Sequence, residues 1–173
     1  VEDTPYYAPK NKPLTADGSV DSFKSLVQCS RNFNKARTVR ELCELMQETL
    51  RTETGAESSW VVLFRGETGE ISVRAEFGGE KTALPEALIE QSRRQDRGIS
   101  ADSQNAAGAK LQLMVAPMRV DGDVFGSVAA AVPYGSNGTD PRFHFFVALT
   151  HAFAPIYRGL ERSEQAARDM ERW

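Results

Sequence analysis

The sequence has little of what marks secreted, membrane or nucleic-acid-binding proteins. It contains two cysteines in 173 residues, too few for a disulfide framework, so reduced thiols are expected. No apolar run approaches the roughly 18 residues of a membrane span, and the polar, proline-bearing start of the chain is unlike a signal peptide. Basic residues form no stripe and the formal net charge is -3, which argues against a nucleic-acid-binding surface. These absences predict a cytoplasmic protein that contacts neither membrane nor nucleic acid.

What is present is the composition of an ordinary globular domain, with 40% hydrophobic and 26% charged residues. The chain starts at Val1 and ends at Trp173 within a charged helical pattern, which favours one module of a multidomain protein. Residues 1–20 are rich in Pro, Asp, Lys and Gly without periodicity, so they are interpreted as a linker. We expect the domain at residues 21–160 and, at 161–173, a helix that leads to an output domain on the C-terminal side.

Hydrophobic periodicity predicts helices towards the two ends of the domain and strands between them. Thr38 and Glu41 have the spacing of a capping box, which starts the second helix, and Gly55 ends it. The order indicates an α+β domain with a central antiparallel sheet of about five or six strands. The predicted elements are helices at 21–34, 38–55, 84–95 and from 141 onward, and strands at 58–64, 71–77, near 99, and on both sides of residues 121–122.

Asp121 and Gly122 form the strongest local signal, because both tolerate the positive φ of a two-residue hairpin turn. Val120 would then face Asp123, and counting outward assigns each residue to a face of the sheet. One face is predicted to pack against the terminal helices; it comprises Leu111, Leu113, Val115, Val128, Ala130 and Val132. The other is predicted to line a pocket beneath the short helix; it comprises Gln112, Met114, Ala116, Ser127, Ala129 and Ala131. An alternative stays open, in which the small residues only let that helix pack tightly.

Three stretches resemble, in their order and spacing, the GAF domain family over residues 21–160. The family's most recognisable element is two apolar strands joined by a short turn. The stretch that resembles it here is LQLMVAPMRVDGDVFGSVAAAV. A second stretch resembles the helix, Gly-Ala turn and first strand of the family; it is LCELMQETLRTETGAESSWVVLF. A third stretch resembles the closing helix of the family; it is DPRFHFFVALTHAFAPIYRGLE.

The resemblance implies a GAF/PAS-like fold, with a helical layer used in dimerisation on one face of the sheet and a pocket on the other. Such domains act as sensory or regulatory modules in histidine kinases, phosphodiesterases, phytochromes and bacterial enhancer-binding activators. The Asn-Lys…Phe…Asp-Glu signature of the members that bind cyclic GMP is missing, and no cysteine lies in the pocket region to attach a bilin. The sequence therefore predicts a small-molecule ligand but identifies neither that ligand nor a cofactor.

Six side chains are predicted to line the pocket on the face opposite the terminal helices. Arg74 would pair with an anionic group of the ligand, while aromatic and methionine side chains would supply apolar contact. The predicted set is Trp60, Arg74, Glu76, Gln112, Met114 and Ser127. If the two faces are reversed, the residues that take their place are Val61, Leu63, Val73 and Val128.

Neither the histidines nor the cysteines predict a metal or catalytic centre. His144 and His151 lie seven residues apart on the last helix, roughly 10 Å along its axis, which is too far to share one ion. Cys29 and Cys43 invite comparison with a branch of the GAF family that reduces free methionine sulfoxide with cysteines. Those thiols lie over the pocket, whereas Cys29 and Cys43 belong to the N-terminal helices, so no enzyme activity is expected.

The last helix carries an apolar repeat at intervals of three and four residues. Five of its residues are assigned to a dimerising, signal-transmitting helix: Phe146, Leu149, Phe153, Ile156 and Leu160. The repeat continues, in a polar stretch suited to a two-stranded coiled coil, at Ser163, Ala167 and Met170. We expect a homodimeric, non-catalytic sensor or regulatory module of a bacterial-type kinase, cyclase, phosphodiesterase or enhancer-binding transcription activator. The alternatives are a structural dimerisation module with a filled pocket and an enzyme similar to the sulfoxide reductase.

Overall fold

The computed structural model describes residues 19–135 and 141–172, with side chains described from Phe23 onward. The elements in these ranges are α1 Ser19–Phe33, α2 Val39–Thr54, β1 Ser58–Arg65, β2 Glu70–Phe77, α3 Glu86–Gln95, β3 Ile99–Gln104, β4 Lys110–Val120, β5 Asp123–Pro133 and α4 Pro141–Glu171. Every predicted helix and strand is present. The predicted linker lies outside the described residues except at its last two positions, which begin α1.

The five strands form one antiparallel sheet in the order β2-β1-β5-β4-β3. α1, α2 and α4 lie against one side of it, which we call the helical face. α3 lies against the other side, which we call the α3 face. This arrangement confirms the predicted α+β class, with helices on both sides of an antiparallel sheet.

α2 begins and ends where its sequence predicts. The Oγ1 of its N-cap Thr38 accepts a hydrogen bond from the Glu41 N–H at 3.0 Å. The Glu41 carboxylate accepts from the Arg37 N–H at 2.9 Å instead of from the N-cap itself, so the capping box is displaced by one residue. Gly55 ends the helix at φ 75°, in the left-handed region that glycine adopts most readily.

The turn between β4 and β5 confirms the predicted hairpin. Asp121 and Gly122 have φ values of 53° and 80°, as a two-residue turn with two positive φ angles requires. Val120 faces Asp123 across the ladder. The local dipeptide therefore decides where the chain reverses.

Beyond the turn, the predicted register is wrong by one residue. The register shifts at a β-bulge, where β5 contains Phe125 as an extra residue. Pro117 therefore faces Ser127 instead of the Gly126 expected from the turn alone. Because side chains alternate along a strand, one extra residue exchanges the two faces of β4. The face assignments for β5 are confirmed and those for β4 are wrong: Leu111, Leu113 and Val115 lie on the α3 face, and Gln112, Met114 and Ala116 lie on the helical face.

The bulged residue contacts α4, which explains why the bulge occurs here. The rings of Phe125 and Tyr157 stack with their centroids 6.1 Å apart. The Arg158 guanidinium covers the Phe125 ring at 4.3 Å and pairs with Asp123 at 3.0 Å. These contacts hold α4 across the tip of the hairpin, so the extra residue is used to dock the last helix.

Candidate functional site

Side chains fill the α3 face in the patch where the sequence predicted a pocket. Trp60, Ile89 and Leu111 are fully buried there in one apolar cluster. Ala129 and Ala131 belong to the same cluster, and their small side chains leave room for α3 to approach the sheet. The short side chains on this patch therefore let α3 pack closely on the sheet. Whether this face also binds a ligand stays a prediction.

The six residues predicted to line one pocket are divided between the two sides of the sheet. Trp60, Glu76 and Ser127 are on the α3 face, whereas Arg74, Gln112 and Met114 are on the helical face. A bulge in β2 and the bulge in β5 produce this division, because each reverses the alternation of its strand. The sheet therefore keeps the six residues from forming one common site, although Arg74 and Glu76, both on the edge strand β2, line one groove.

The reversed set of pocket residues is not assembled either. Val61, Leu63 and Val128 are buried within the helical-face core. Val73 is an exposed residue of the edge strand β2. Both predicted sets are therefore corrected in their geometry, and whether any one of these residues binds a ligand stays a prediction.

Most of the predicted polar residues already have internal partners. The Trp60 indole N–H donates to the Glu76 carboxylate at 3.1 Å. The Ser127 hydroxyl donates to the Ala116 carbonyl at 2.9 Å. Gln112 similarly donates its amide N–H to the hydroxyl of a neighbouring serine on β3 at 2.5 Å. Each of these groups thus has at least one hydrogen-bond partner within the fold.

Arg74 lies at the mouth of a groove, whose lining also includes Glu76. Arg74 is the extra residue in the β2 bulge, between the pairs Val61–Ala75 and Val62–Val73. The groove, of about 530 Å³, runs between α2, β2 and α4. We call it the α2–β2–α4 groove; its lining includes Val39, Cys43, Gln47, Arg74, Ala75 and Glu164.

Beside Arg74 lies a fully buried tyrosine, Tyr157 of α4. Burial raises the pKa of its hydroxyl, and the neighbouring Arg74 guanidinium partly opposes this rise. Because a guanidinium can only donate, it gives the tyrosine proton no acceptor, and no described residue supplies one. The side-chain N–H groups of Gln47 are likewise buried without an acceptor among the described residues. Two buried polar atoms, the Tyr157 hydroxyl and the Gln47 side-chain nitrogen, therefore have no hydrogen-bond partner among the described residues.

Cys43 also lines the groove, but its chemistry is that of a buried thiol. Burial raises its pKa from 9.0 to about 12, although the positive charge of Arg74 acts in the opposite direction. Cys29 is buried as well, and the two cysteines are not bonded to each other. Since the thiolate is the reactive form, Cys43 is a poor nucleophile at neutral pH.

One hydrogen bond connects the far end of α4 to the start of α2. The Glu164 carboxylate accepts the backbone N–H of Val39 at 2.8 Å. Val39 is the first residue of α2, where N–H groups have no partner within the helix and where the helix dipole favours a negative charge. Glu164 therefore acts as a second cap on α2, supplied by another helix.

The burial of α4 side chains decreases along the length of the helix. Phe146, Leu149 and Phe153 are fully buried against the sheet, and Ile156 and Leu160 are half-buried beside them. The three buried residues attach α4 to its own domain, so a second chain cannot reach them while α4 holds this position. Beyond residue 161, nearly all side chains are exposed, and these are the positions where contact with a second chain stays a prediction.

The described residues contain neither a metal-binding cluster nor a membrane-spanning helix. No group of three or more His, Cys, Asp or Glu side chains comes together in residues 19–135 and 141–172. Within the same ranges, each helix is too short or too polar to cross a bilayer.

Sequence reasoning did not single out Gln47 and Glu164 of the groove lining, nor the buried Tyr157 beside Arg74. A tyrosine within an apolar helical stripe is a usable signal, because its hydroxyl needs a partner when the ring is buried. Glu164 gives no such signal, since its partner lies 125 residues away in the sequence. Such a contact can be recognised only in the folded chain.

Comparison with known proteins finds similarity at the level of structure. No family model matches the chain, and no curated protein matches its sequence. The GAF domain of a phosphoenolpyruvate-protein phosphotransferase from Coxiella burnetii is 12% identical, with a TM-score of 0.65 over 87% of this chain and 99% of that one. The GAF domain of the potassium sensor histidine kinase KdpD from Escherichia coli is 17% identical, with a TM-score of 0.57 over 84% and 99%.

An enzyme of similar structure is also found. The free methionine-R-sulfoxide reductase from Neisseria meningitidis, solved in complex with its substrate, is 13% identical, with a TM-score of 0.65 over 93% of this chain and 99% of that one. At these identities the likeness concerns the fold alone.

Proposed function

We propose that this chain, which has the GAF domain fold, is a non-catalytic sensory or regulatory module of a signal transduction protein. The observation that carries the proposal is α4, a single helix of 31 residues whose first half belongs to the core. About three turns of it extend beyond the sheet-packed part with exposed side chains. The likeness to GAF domains of a histidine kinase and of a phosphotransferase supports a regulatory role.

The mechanism is a shift between two positions of α4 relative to the sheet. Tyr157 and Arg158 dock the helix on the bulged hairpin, and Glu164 caps α2. A change at the sheet or in α2 would therefore bias the distal part of α4, because these contacts cannot all persist if the helix moves. Allosteric coupling energies of about 1–3 kcal/mol are enough to shift such an equilibrium.

The proposal also includes a second copy of the chain, an output domain, a ligand and a cellular location. The exposed end of α4 would pair with a second copy of the chain through the seam of Ser163, Ala167 and Met170, which forms a short coiled coil. An output domain, such as a kinase, cyclase, phosphodiesterase or transcription activator, would follow this helix and respond to a small-molecule ligand. The whole assembly would be cytoplasmic.

Two alternatives differ in the observations that favour them. The filled α3 face favours a structural dimerisation module without a ligand. The likeness to the sulfoxide reductase favours an enzyme, but the high pKa of Cys43 and the burial of both thiols argue against cysteine chemistry.

The contact between α4 and α2 provides the test. Replacing Glu164 by alanine removes one cap of α2 and should destabilise its first turn by about 1 kcal/mol, seen as roughly fivefold faster amide exchange there. The matched control is Glu171→Ala, an exposed glutamate of the same helix. Because coupling is reciprocal, Thr38→Ala should speed exchange in residues 161–171. If Glu164→Ala and Glu171→Ala gave the same exchange pattern, α4 would not report on the domain and the regulatory proposal would fail.

A further inference from the structure

Two residues that weaken helices lie about one turn apart in the middle of α4. Pro155 has no N–H to donate to the carbonyl of His151, four residues earlier, and its ring crowds that carbonyl. Gly159, four residues later, leaves the backbone the most conformational freedom. All three residues are exposed and lie on one side of the helix. α4 therefore combines, within about one turn, the two residue types of lowest helix propensity.

Nothing in the described structure requires a glycine at position 159. A Cβ atom added there would meet no heavy atom within 4 Å, apart from its chain neighbours and the local helix backbone. The residue has a helical backbone, without the positive φ that other glycines of the chain adopt. Alanine would fit in the same space and would favour the helix more. Gly159 therefore weakens α4 at this point although neither packing nor a turn demands it.

The part of α4 that precedes Gly159 is firmly attached to the domain. Tyr157 is fully buried, and its ring stacks on that of Phe125. Arg158 covers the same Phe125 ring and pairs with Asp123 at 3.0 Å. These contacts fix the helix on the hairpin as far as residue 158.

The part of α4 that follows Gly159 is attached much more weakly. Leu160 is half-buried beside the core. Among the described residues, one hydrogen bond joins this part to another element, from the Val39 N–H to the Glu164 carboxylate at 2.8 Å. The other side-chain hydrogen bonds that its described residues form stay within α4. The boundary between firm and weak attachment thus coincides with the two helix-weakening residues.

We propose that residues 155–159 form a hinge in α4, and that the hydrogen bond from Val39 to Glu164 holds this hinge closed. Opening breaks that bond and swings residues 160–171 away from α2, while the preceding part stays docked on the hairpin. The Pro155 ring crowds the exposed side of the helix, so it favours a bend towards the opposite side, where the domain lies. The proline therefore favours the closed position, and Gly159 supplies the freedom to leave it.

The hinge goes beyond the proposed function, because it says which part of α4 moves and which part stays fixed. It rests on that function only for its role in signalling. A rigid α4 that shifted as a whole would satisfy the regulatory role and contradict the hinge. A hinge without any effect on α2 would do the reverse, so the two proposals can fail separately.

The test measures distances between two nitroxide spin labels in the 173-residue chain. One label is placed at Asp102 of β3, and the other at His151 or Arg168, which are exposed positions of α4 before and after the hinge. The two buried native cysteines are replaced by alanine in every sample, and labelled chain is diluted into unlabelled chain so that only distances within one molecule contribute. The distance to His151 should have one narrow distribution, whereas the distance to Arg168 should have a second, open population.

Four substitutions separate a hinge from a general effect on the helix. Glu164→Ala should raise the ratio of open to closed chains about fivefold, because a cap is lost. Gly159→Ala should lower this ratio about fivefold, and adding Pro155→Ala should lower it further, because the bond to the His151 carbonyl is restored. The matched control is Ser163→Ala at an exposed residue just beyond the hinge, which stays helical in both positions. It should change the ratio less than about twofold.

Three results would overturn the proposal. The first is an equal change in the distances to His151 and Arg168 in Glu164→Ala, which would show that α4 moves as one rigid body. The second is a distance distribution at Arg168 that stays the same in all variants. The third is a decrease of the open population by Gly159→Ala that is no greater than the decrease by Ser163→Ala.

Discussion

The helical face and the α3 face of one sheet both bury apolar side chains, and each also buries polar groups. On the α3 face the Trp60 indole and the Ser127 hydroxyl each donate to an acceptor of the same chain. On the helical face the Tyr157 hydroxyl proton has no acceptor among the described residues, and the Arg74 guanidinium forms no ion pair there. The comparison teaches that burial alone does not decide whether a polar group is paired: the Ser127 and Tyr157 hydroxyls are both buried, and only the first has a hydrogen-bond partner among the described residues.

The two faces of the sheet are covered by different numbers of helices. α1, α2 and α4 form a continuous layer over the helical face, and side chains of α2, α4 and the edge strand meet at its margin. α3 is a single helix of 10 residues that packs its apolar side on the other face. The margin between these elements leaves a groove, whereas α3 packs its apolar side chains against small side chains of the sheet.

The largest effect should come from truncating the core of each face. Phe153→Ala should lower the free energy of unfolding by about 3–5 kcal/mol, because Phe153 meets Phe33 of α1 edge to face with ring centroids 5.7 Å apart. Ile89→Ala should cost roughly 2–3 kcal/mol, since α3 can settle towards Ala129 and Ala131. Denaturant unfolding of both variants measures the difference. An equal or larger cost for Ile89→Ala would contradict the view that the helical layer carries most of the stability.

A second effect should appear at high pH, from the helical face. The pKa of Cys43 is raised from 9.0 to about 12. Between these values the unfolded chain loses the thiol proton and the native chain keeps it. The free energy of unfolding should therefore fall as pH rises above 9, by at most roughly 1.4 kcal/mol per pH unit. The raised pKa of Tyr157 acts in the same direction above its ordinary value of 10.0.

Cys43→Ala provides the control for this pH dependence. The variant lacks the titrating thiol, so its free energy of unfolding should depend less steeply on pH between 9 and 12 than that of the original chain. Chemical denaturation at several pH values gives both slopes. The same slope in both proteins would show that Cys43 is not responsible.

The smallest expected effect is the difference in stability between two variants that each lose one buried hydroxyl group. Ser127→Ala removes a buried donor that has an acceptor and should cost about 1 kcal/mol. Tyr157→Phe removes a hydroxyl whose proton has no acceptor, so it should be close to neutral, or slightly stabilising, without ligand. Thermal unfolding of the two variants side by side tests the contrast. A greater loss for Tyr157→Phe would mean that its hydroxyl is satisfied in solution, and the two faces would no longer differ.

Much of the fold could be predicted from local patterns. The cap at Thr38, the left-handed Gly55 and the turn at Asp121 and Gly122 are all where the sequence places them. Each depends on the conformational preference of one or two residues and needs no distant partner. The groove could not be predicted in this way; Arg74, expected from the sequence to pair with an anionic group, is among the residues that line it.

The sequence by itself determined the α+β class, the order of the elements and the position of the hairpin, because periodicity, caps and turns are local properties of the chain. The tertiary structure alone decided which side of the sheet β4 presents and which residues meet in the groove. The bulge at Phe125 exists in contact with Tyr157, and Glu164 caps a helix 125 residues away. Both depend on side chains brought together by folding, so no local pattern encodes them.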